Sequence, residues 1–267
     1  MEILGYIGAI LMGISLGLIG GGGSILTVPI LIYFFAVDAV LATAYSLFIV
    51  GFTSLAGSVT HIRLGNVNWR TALVFGIPSI VSVYLTRAFL VPAIPNPVFE
   101  SGSLVVSKPM ALLVLFAVIM LMASFSMIRK GKPATERAEN EPQQFRYGLI
   151  LAEGLVVGMV TGLVGAGGGF LIIPALVLLA GLPMKQAVGT SLIIIASKSL
   201  IGFLGDLGGA EAIDWTFLAT FSGIATVGIV AGSMLSKQIP GEKLKPAFGW
   251  FVLLMGLYIL LKETLLK

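Results

Sequence analysis

The residues best suited to chemistry in this sequence sit in one short stretch that occurs twice. The first copy reads Gly17-Leu-Ile-Gly-Gly-Gly-Gly-Ser-Ile-Leu-Thr-Val-Pro29, and the second reads Gly162-Leu-Val-Gly-Ala-Gly-Gly-Gly-Phe-Leu-Ile-Ile-Pro174. Gly17 and Gly162 are 145 residues apart, as are Pro29 and Pro174. Gly20, Gly21, Gly22 and Gly23 in one copy, and Gly165, Gly167, Gly168 and Gly169 in the other, leave bare amides that a ligand can approach closely. A glycine costs a helix about 1 kcal/mol, so such a run breaks one. Helices resuming at Ser24 and Phe170 would aim their positive N-terminal ends at the breaks, and helix N-termini and amide nests bind anions. The chemistry on offer is therefore non-covalent recognition of negative charge. The plainer reading is that the glycines let helices pack closely, as small residues do in membranes. Clustering of this kind exceeds what packing requires, and paired breaks at corresponding positions mark transporter binding sites.

Other candidates lie on the helix that follows each break. Tyr45 and Ser46 in the first half, and Thr190 and Ser191 in the second, could offer hydroxyls; back-bonding to their own helix is the plainer reading for serine and threonine. Lys198 stands deep inside an apolar run, where charges are costly and functional by default. It lies on nearly the same helix face as Ser191, seven residues back. It could bind an anion or pair with Glu153; snorkelling is the alternative. Its counterpart, Thr53, is neutral. Glu153 could accept a proton for coupling, balance Lys198 or lie at an interface. His61 and Arg87 read as interfacial, Asp38 and Asp206 as caps or loop residues, and Trp69, Trp215 and Trp250 as an aromatic belt.

These residues must be positioned by membrane helices. The chain is 57% hydrophobic and 10% charged, against about 25% charged in soluble domains, and its apolar runs are continuous rather than alternating, which excludes a β-barrel. The expected class is an all-α, polytopic helical membrane protein with 8–10 membrane segments. No cysteine is present, so thiol redox chemistry and thiolate metal sites are excluded, and one histidine with few carboxylates argues against any metal site. No cofactor, nucleic-acid partner or cleavable leader is expected. Spans are expected at 39–60, 71–91, 109–128, 184–204, 215–236 and 246–261, with shorter pieces around each glycine run. Residues 1–128 form a first repeat, 129–146 a hydrophilic cytoplasmic linker and 147–267 a second repeat. The duplication reaches past the glycines: Ala42, Ser46, Leu47, Ile49, Ser54, Leu55 and Gly57 meet Ala187, Ser191, Leu192, Ile194, Ser199, Leu200 and Gly202 at the same offset.

Charge orients the halves, because cytoplasmic loops collect lysine and arginine. With parallel halves, nine basic residues fall inside and six outside. With each glycine-broken segment returning to its own side, the halves invert and the division becomes eleven against four. The turn 61–70 has two arginines, whereas 205–214 has Asp206, Glu211, Asp214 and no base. Inverted repeats are therefore expected, each with a helical hairpin bent at its glycines.

The paired glycine motifs with their prolines, the element Ala187-Val-Gly-Thr-Ser-Leu192 with its partner Ala42-Thr-Ala-Tyr-Ser-Leu47, and the turns ending Val67-Asn-Trp69 and Ile213-Asp-Trp215 resemble the sulfite exporter TauE/SafE family of membrane permeases (4-toluene sulfonate uptake permease type). The resemblance covers essentially the whole chain. It implies movement of small sulfur-containing or organic anions such as sulfite and sulfonates across the plasma membrane. Tyr45 stands where the second half has Thr190, so the half-sites are not chemically equal. The expected function is a secondary transporter working by alternating access, with proton coupling as an option. The expected partners are a small anion, the lipid bilayer and, as an option, a second copy of the chain. A passive anion channel or a non-transporting membrane subunit are the alternatives. No Ser/His/Asp set, metal cluster or aspartate pair supports an intramembrane enzyme.

Overall fold

The computed structural model describes residues 2–101, 104–128, 147–178, 180–207, 213–235 and 241–265. The expected linker, 129–146, lies outside them. The first half contains α1 (Glu2–Ile19), α2 (Ser24–Phe35), α3 (Ala39–Arg63), α4 (Trp69–Leu85) and α5 (Lys108–Ile128). The second contains α6 (Tyr147–Val164), α7 (Gly169–Leu178), α8 (Met184–Leu204), α9 (Trp215–Leu235) and α10 (Gly241–Leu265). Among the described residues, six helical stretches are long and apolar enough to cross a membrane. Their outward faces carry exposed Leu73, Ile77, Met122, Phe125 and Val227, while Leu16, Leu47, Phe116 and Phe221 are buried inside. Lipid is as apolar as these side chains, so close packing rather than water exclusion holds the helices together. Trp69, Trp215 and Trp250 are all exposed.

Caps set the helix starts. Asp38 accepts from the Val40 amide at 2.8 Å ahead of α3. Asn68 accepts from Thr71 N at 2.9 Å ahead of α4, and Asp214 from Phe217 N at 2.9 Å ahead of α9. α2 ends at Ala36, which is left-handed at φ 54°. α1 and α2 form an antiparallel hairpin around the first glycine run: Gly5 abuts Phe35, Gly8 abuts Ile30, and Gly23 abuts Met12 and Leu16. The short arms hold 12 and 10 residues. At about 1.5 Å per residue, neither reaches across a hydrocarbon core of about 30 Å.

Several seams join the halves, α5 on α10 among them, and small residues line the three that follow. α1 runs parallel to α9, with Gly13 on Ala225 and Gly228, and Gly17 on Ile229 and Ser233. α4 runs parallel to α6 in the same way, with Gly158 on Ser79 and Ser82, and Gly162 on Val83 and Thr86. These two seams exchange when the halves are exchanged. α3 and α8, which are equivalent to each other, pack antiparallel: Leu47 meets Gly202, Gly51 meets Leu200 and Gly57 meets Leu192. Backbones approach closely at these glycines, which is how dispersion replaces the missing hydrophobic drive.

Several expectations need correction. The turn expected from His61 begins later, because α3 continues to Arg63 and buries His61. The weakly polar loop after α4 contains a two-stranded antiparallel hairpin, β1 (Phe99–Ser101) on β2 (Leu104–Val106), within the otherwise helical fold. α4 does not stop cleanly near Val91. It passes into a π-helical turn over Thr86–Leu90 and a last short turn over Val91–Ala93. Pro92 lacks the amide that would continue the α ladder, and π turns of this kind often occur at functional sites.

Candidate functional site

The two glycine breaks meet. Gly21 lies backbone to backbone against Gly169. Gly20 and Gly165 occupy equivalent positions at φ 75° and 72°, a region open to glycine and strained for other residues. Each packs on the following helix of the other half, Gly20 on Val188 and Gly165 on Thr43, positions again related by the 145-residue offset. Every residue from Gly20 to Ser24 and from Gly165 to Phe170 is buried. The first turns of α2 and α7 start at this junction, and several of their amides donate to carbonyls of the breaks, Leu26 N to Gly23 O and Leu171 N to Gly168 O, both at 3.0 Å. The two breaks are packed directly on each other and on neighbouring side chains.

The candidate hydroxyls divide into two groups. Ser24 Oγ donates to Gly21 O at 2.8 Å. Ser191 Oγ donates to Gly20 O and to Val188 O, both at 2.8 Å, and so ties α8 to the first break. Thr190 Oγ1 accepts from the Asn68 amide at 2.9 Å, and Tyr45 Oη accepts from the Asp214 amide at 2.7 Å. These last two are the same tie made twice, each from one half to the cap residue of the other. Ser46 Oγ, with Thr27, Thr53, Ser54 and Ser199, is buried with no hydrogen-bond partner in the protein.

Lys198 is fully buried and its Nζ donates to Thr161 Oγ1 at 2.8 Å. A methyl group built on Gly168 would come within 2.8 Å of that nitrogen, so the amine lies against the second break. Thr161 Oγ1 also donates to Gly158 O at 3.2 Å. The expected pair with Glu153 does not form. Glu153 precedes Thr161 by eight residues on α6, about 12 Å along the helix, and its Oε2 is buried without a partner. The breaks, Ser191 and Lys198 thus gather at one junction, Tyr45 and Thr190 serve the inter-half ties, and Glu153 lies apart.

An ion pair between Arg87 and Asp206, 119 residues apart, has no local signal in the sequence. Arg87 is 1% exposed rather than interfacial. Its Nε donates to both carboxylate oxygens of Asp206 at 2.9 and 2.8 Å. Nη2 lies 2.7 Å from Oδ1 as an ionic contact without hydrogen-bond alignment, so Nε carries the directional bonds. Nη1 donates to Thr43 Oγ1 at 2.9 Å and to Gly162 O at 3.2 Å. Asp206 follows the end of α8 and is no simple loop residue. Burial pushes its carboxyl up from the ordinary carboxylate range, and the Arg87 guanidinium pulls it part of the way back. Arg87 comes from the π turn of α4, a distortion that the proline-rich sequence after it hinted at.

Among the described residues no group of three or more metal-ligating side chains exists. An apolar groove of about 400 Å³ runs along the α4–α6 seam between Leu73, Ile77, Pro78 and Leu151. It contains none of the candidate residues and offers no polar group to orient a solute.

Helices of membrane length with apolar outer faces, wrapped around two buried backbone breaks and a buried lysine, define a multi-pass membrane transporter rather than an enzyme. The comparisons agree. The family described as Sulfite exporter TauE/SafE matches residues 6–262, and the chain belongs to that family. A probable membrane transporter protein of Xylella fastidiosa is 30% identical over 254 residues, covering 94% of this chain and 91% of the relative. The probable membrane transporter protein YunE of Bacillus subtilis is 26% identical over 256 residues, covering 90% of each. No solved structure matches the chain.

Proposed function

We propose that this protein is a secondary transporter of the plasma membrane that moves a small sulfur-containing or organic anion, such as sulfite or a sulfonate, by alternating access of two inverted halves. The observation that carries the proposal is Lys198. A fully buried amine, hydrogen-bonded to one hydroxyl and ion-paired with no carboxylate among the described residues, lies against the second backbone break. Burying an unpaired charge is costly, and an anion at the junction would offset that cost. Unpartnered Ser46 adds a donor on α3. The packed breaks correspond to a closed stage of the cycle, before the halves rock apart.

Helix directions support the inversion. Equivalent helices related by an axis along the membrane normal would run the same way, yet α3 and α8 run oppositely. An axis in the membrane plane gives that arrangement, and one half can then rock against the other around a fixed site.

Proteoliposomes loaded with unlabelled sulfite and given labelled sulfite outside test the reading. A transporter shows uptake accelerated by substrate on the far side, and Gly168→Leu abolishes it. Flux without such acceleration points to a channel, and no flux of sulfite or of any sulfonate refutes the assignment.

A further inference from the structure

Around the second break the protein buries two cations against one carboxylate. Lys198 meets Thr161, and Arg87 meets Gly162, the next residue of α6. Adjacent Cα atoms are about 3.8 Å apart, so the two cations lie on the order of 10 Å from each other. Arg87 also bonds Thr43, on which Gly165 packs. Its guanidinium therefore touches both walls of the break, while Asp206, on its other side, is the least buried member with a side chain 16% exposed. The pair lies between the break and the residues that follow the end of α8.

The equivalent positions in the other repeat carry no such pair of charges. The residue 146 positions after Arg87 is Ser233, the offset that also relates Asn68 to Asp214, and the residue 145 before Asp206 is His61. Arg87 and Asp206 are thus an addition to one face of a duplicated frame. The duplicated packing works without them: Gly17 rests on Gly232 as Gly162 rests on Thr86. A stability role common to both halves does not explain them.

We propose that Arg87 and Asp206 form an access subsite for the transported anion, in which the anion displaces the Asp206 carboxylate from the guanidinium and the released carboxylate takes up a proton. The inference rests on the anion-transporter reading above and adds a second binding cation and a proton site to it. A guanidinium fork suits a carboxylate and an oxyanion equally well, since both present paired oxygens. Two anions cannot share it without repulsion, so one leaves or becomes neutral. Among the described residues the charged group that meets Asp206 is Arg87. α3 contributes uncharged Thr43, and the nearest charge on the preceding helix is Lys198, eight residues back. The exchange is one anion bound for one proton taken up, and no covalent bond changes.

Methanesulfonate is the probe, because it stays ionised across the working pH range. Its affinity is measured by calorimetry on purified full-length protein in lipid nanodiscs from pH 5 to 8. The wild type is expected to bind about tenfold more weakly for each pH unit above the point where Asp206 ionises, as a one-proton exchange requires. Asp206→Asn is expected to bind at least tenfold tighter than wild type at pH 8, with no pH dependence. Arg87→Gln combined with Asp206→Asn removes both charges, which a fold tolerates better than one. It should melt near the wild-type temperature and bind at least tenfold more weakly than Asp206→Asn alone. A pH-independent wild type, or an Asp206→Asn variant that binds no tighter, overturns the inference and leaves the transporter reading standing. Wild-type protein that binds neither methanesulfonate nor sulfite overturns both.

Discussion

Replacing Lys198 with methionine separates a site residue from a structural one, because the two roles predict opposite signs for stability and transport. The side chain is fully buried, and methionine keeps most of its stem volume while removing the charge. Thr161 Oγ1, the partner that would be lost, keeps its bond to Gly158 O at 3.2 Å, so no donor is orphaned. Exchanging a buried charge for an apolar group of similar volume is neutral or stabilising, by about 1–4 kcal/mol. Each kcal/mol corresponds to roughly 2–4 °C in melting temperature at this chain length, so Lys198→Met should melt at or above wild type. Anion binding should fall sharply. A hydrogen bond to a charged group contributes about 1.5–3 kcal/mol, which is a factor of roughly 10 to 150 in affinity. The assay pairs a melting curve, with and without sulfite, with initial uptake rates in proteoliposomes. Sulfite at about 100 times its Kd should stabilise the wild type by about 2.7 kcal/mol and the variant hardly at all. A variant that melts well below wild type yet transports normally would refute the reasoning, since it would make the lysine a structural tie.

Gly165→Ala should lower stability by about 2–5 kcal/mol, combining left-handed strain with overpacking against the Thr43 backbone; Gly223→Ala, with open space around it, should leave the melting curve within about 1 kcal/mol of wild type or raise it slightly. Tyr45→Phe and Thr190→Val each remove one inter-half bond and should cost about 1 kcal/mol apiece, adding in the double variant because they serve different caps; a clear excess over the sum in denaturation curves would contradict independent ties. Asp206 also makes stability depend on pH. Its carboxyl is raised in the folded protein, so over the window between its unfolded and folded values the native state holds more protons than the unfolded one. Stability is then full below the ordinary carboxylate range and falls as pH rises through the folded value. Melting curves should record that decline, and Asp206→Asn should flatten it.

The first glycine hairpin and the order of the apolar helices were legible because they rest on local signals: glycine runs and apolar length. The correspondence between halves was legible because duplication preserved its spacing, and the pairing of α3 with α8 repeats it in space. Arg87 was not legible. Its partner is 119 residues away, and an arginine near the end of an apolar run looks like an interfacial anchor until the π turn carries it inward. His61 escaped for a similar reason, since a polar run beginning with histidine gives no sign that α3 continues for another turn. Tyr45 and Thr190 were chosen for their hydroxyls, yet what those hydroxyls meet depends on the other half, which local sequence does not encode. The packed state of the breaks follows from glycine lacking a side chain: the feature that admits a ligand also admits a second backbone.

The central claim is that the two breaks together hold the transported anion. Selenite, an analogue of sulfite with an anomalously scattering centre, tests it in crystals of the protein. The account predicts one selenium peak at the junction, within hydrogen-bonding reach of Lys198 Nζ and the amides of residues 167–169. A well-occupied peak elsewhere in the membrane region, with the junction still packed shut, would contradict it.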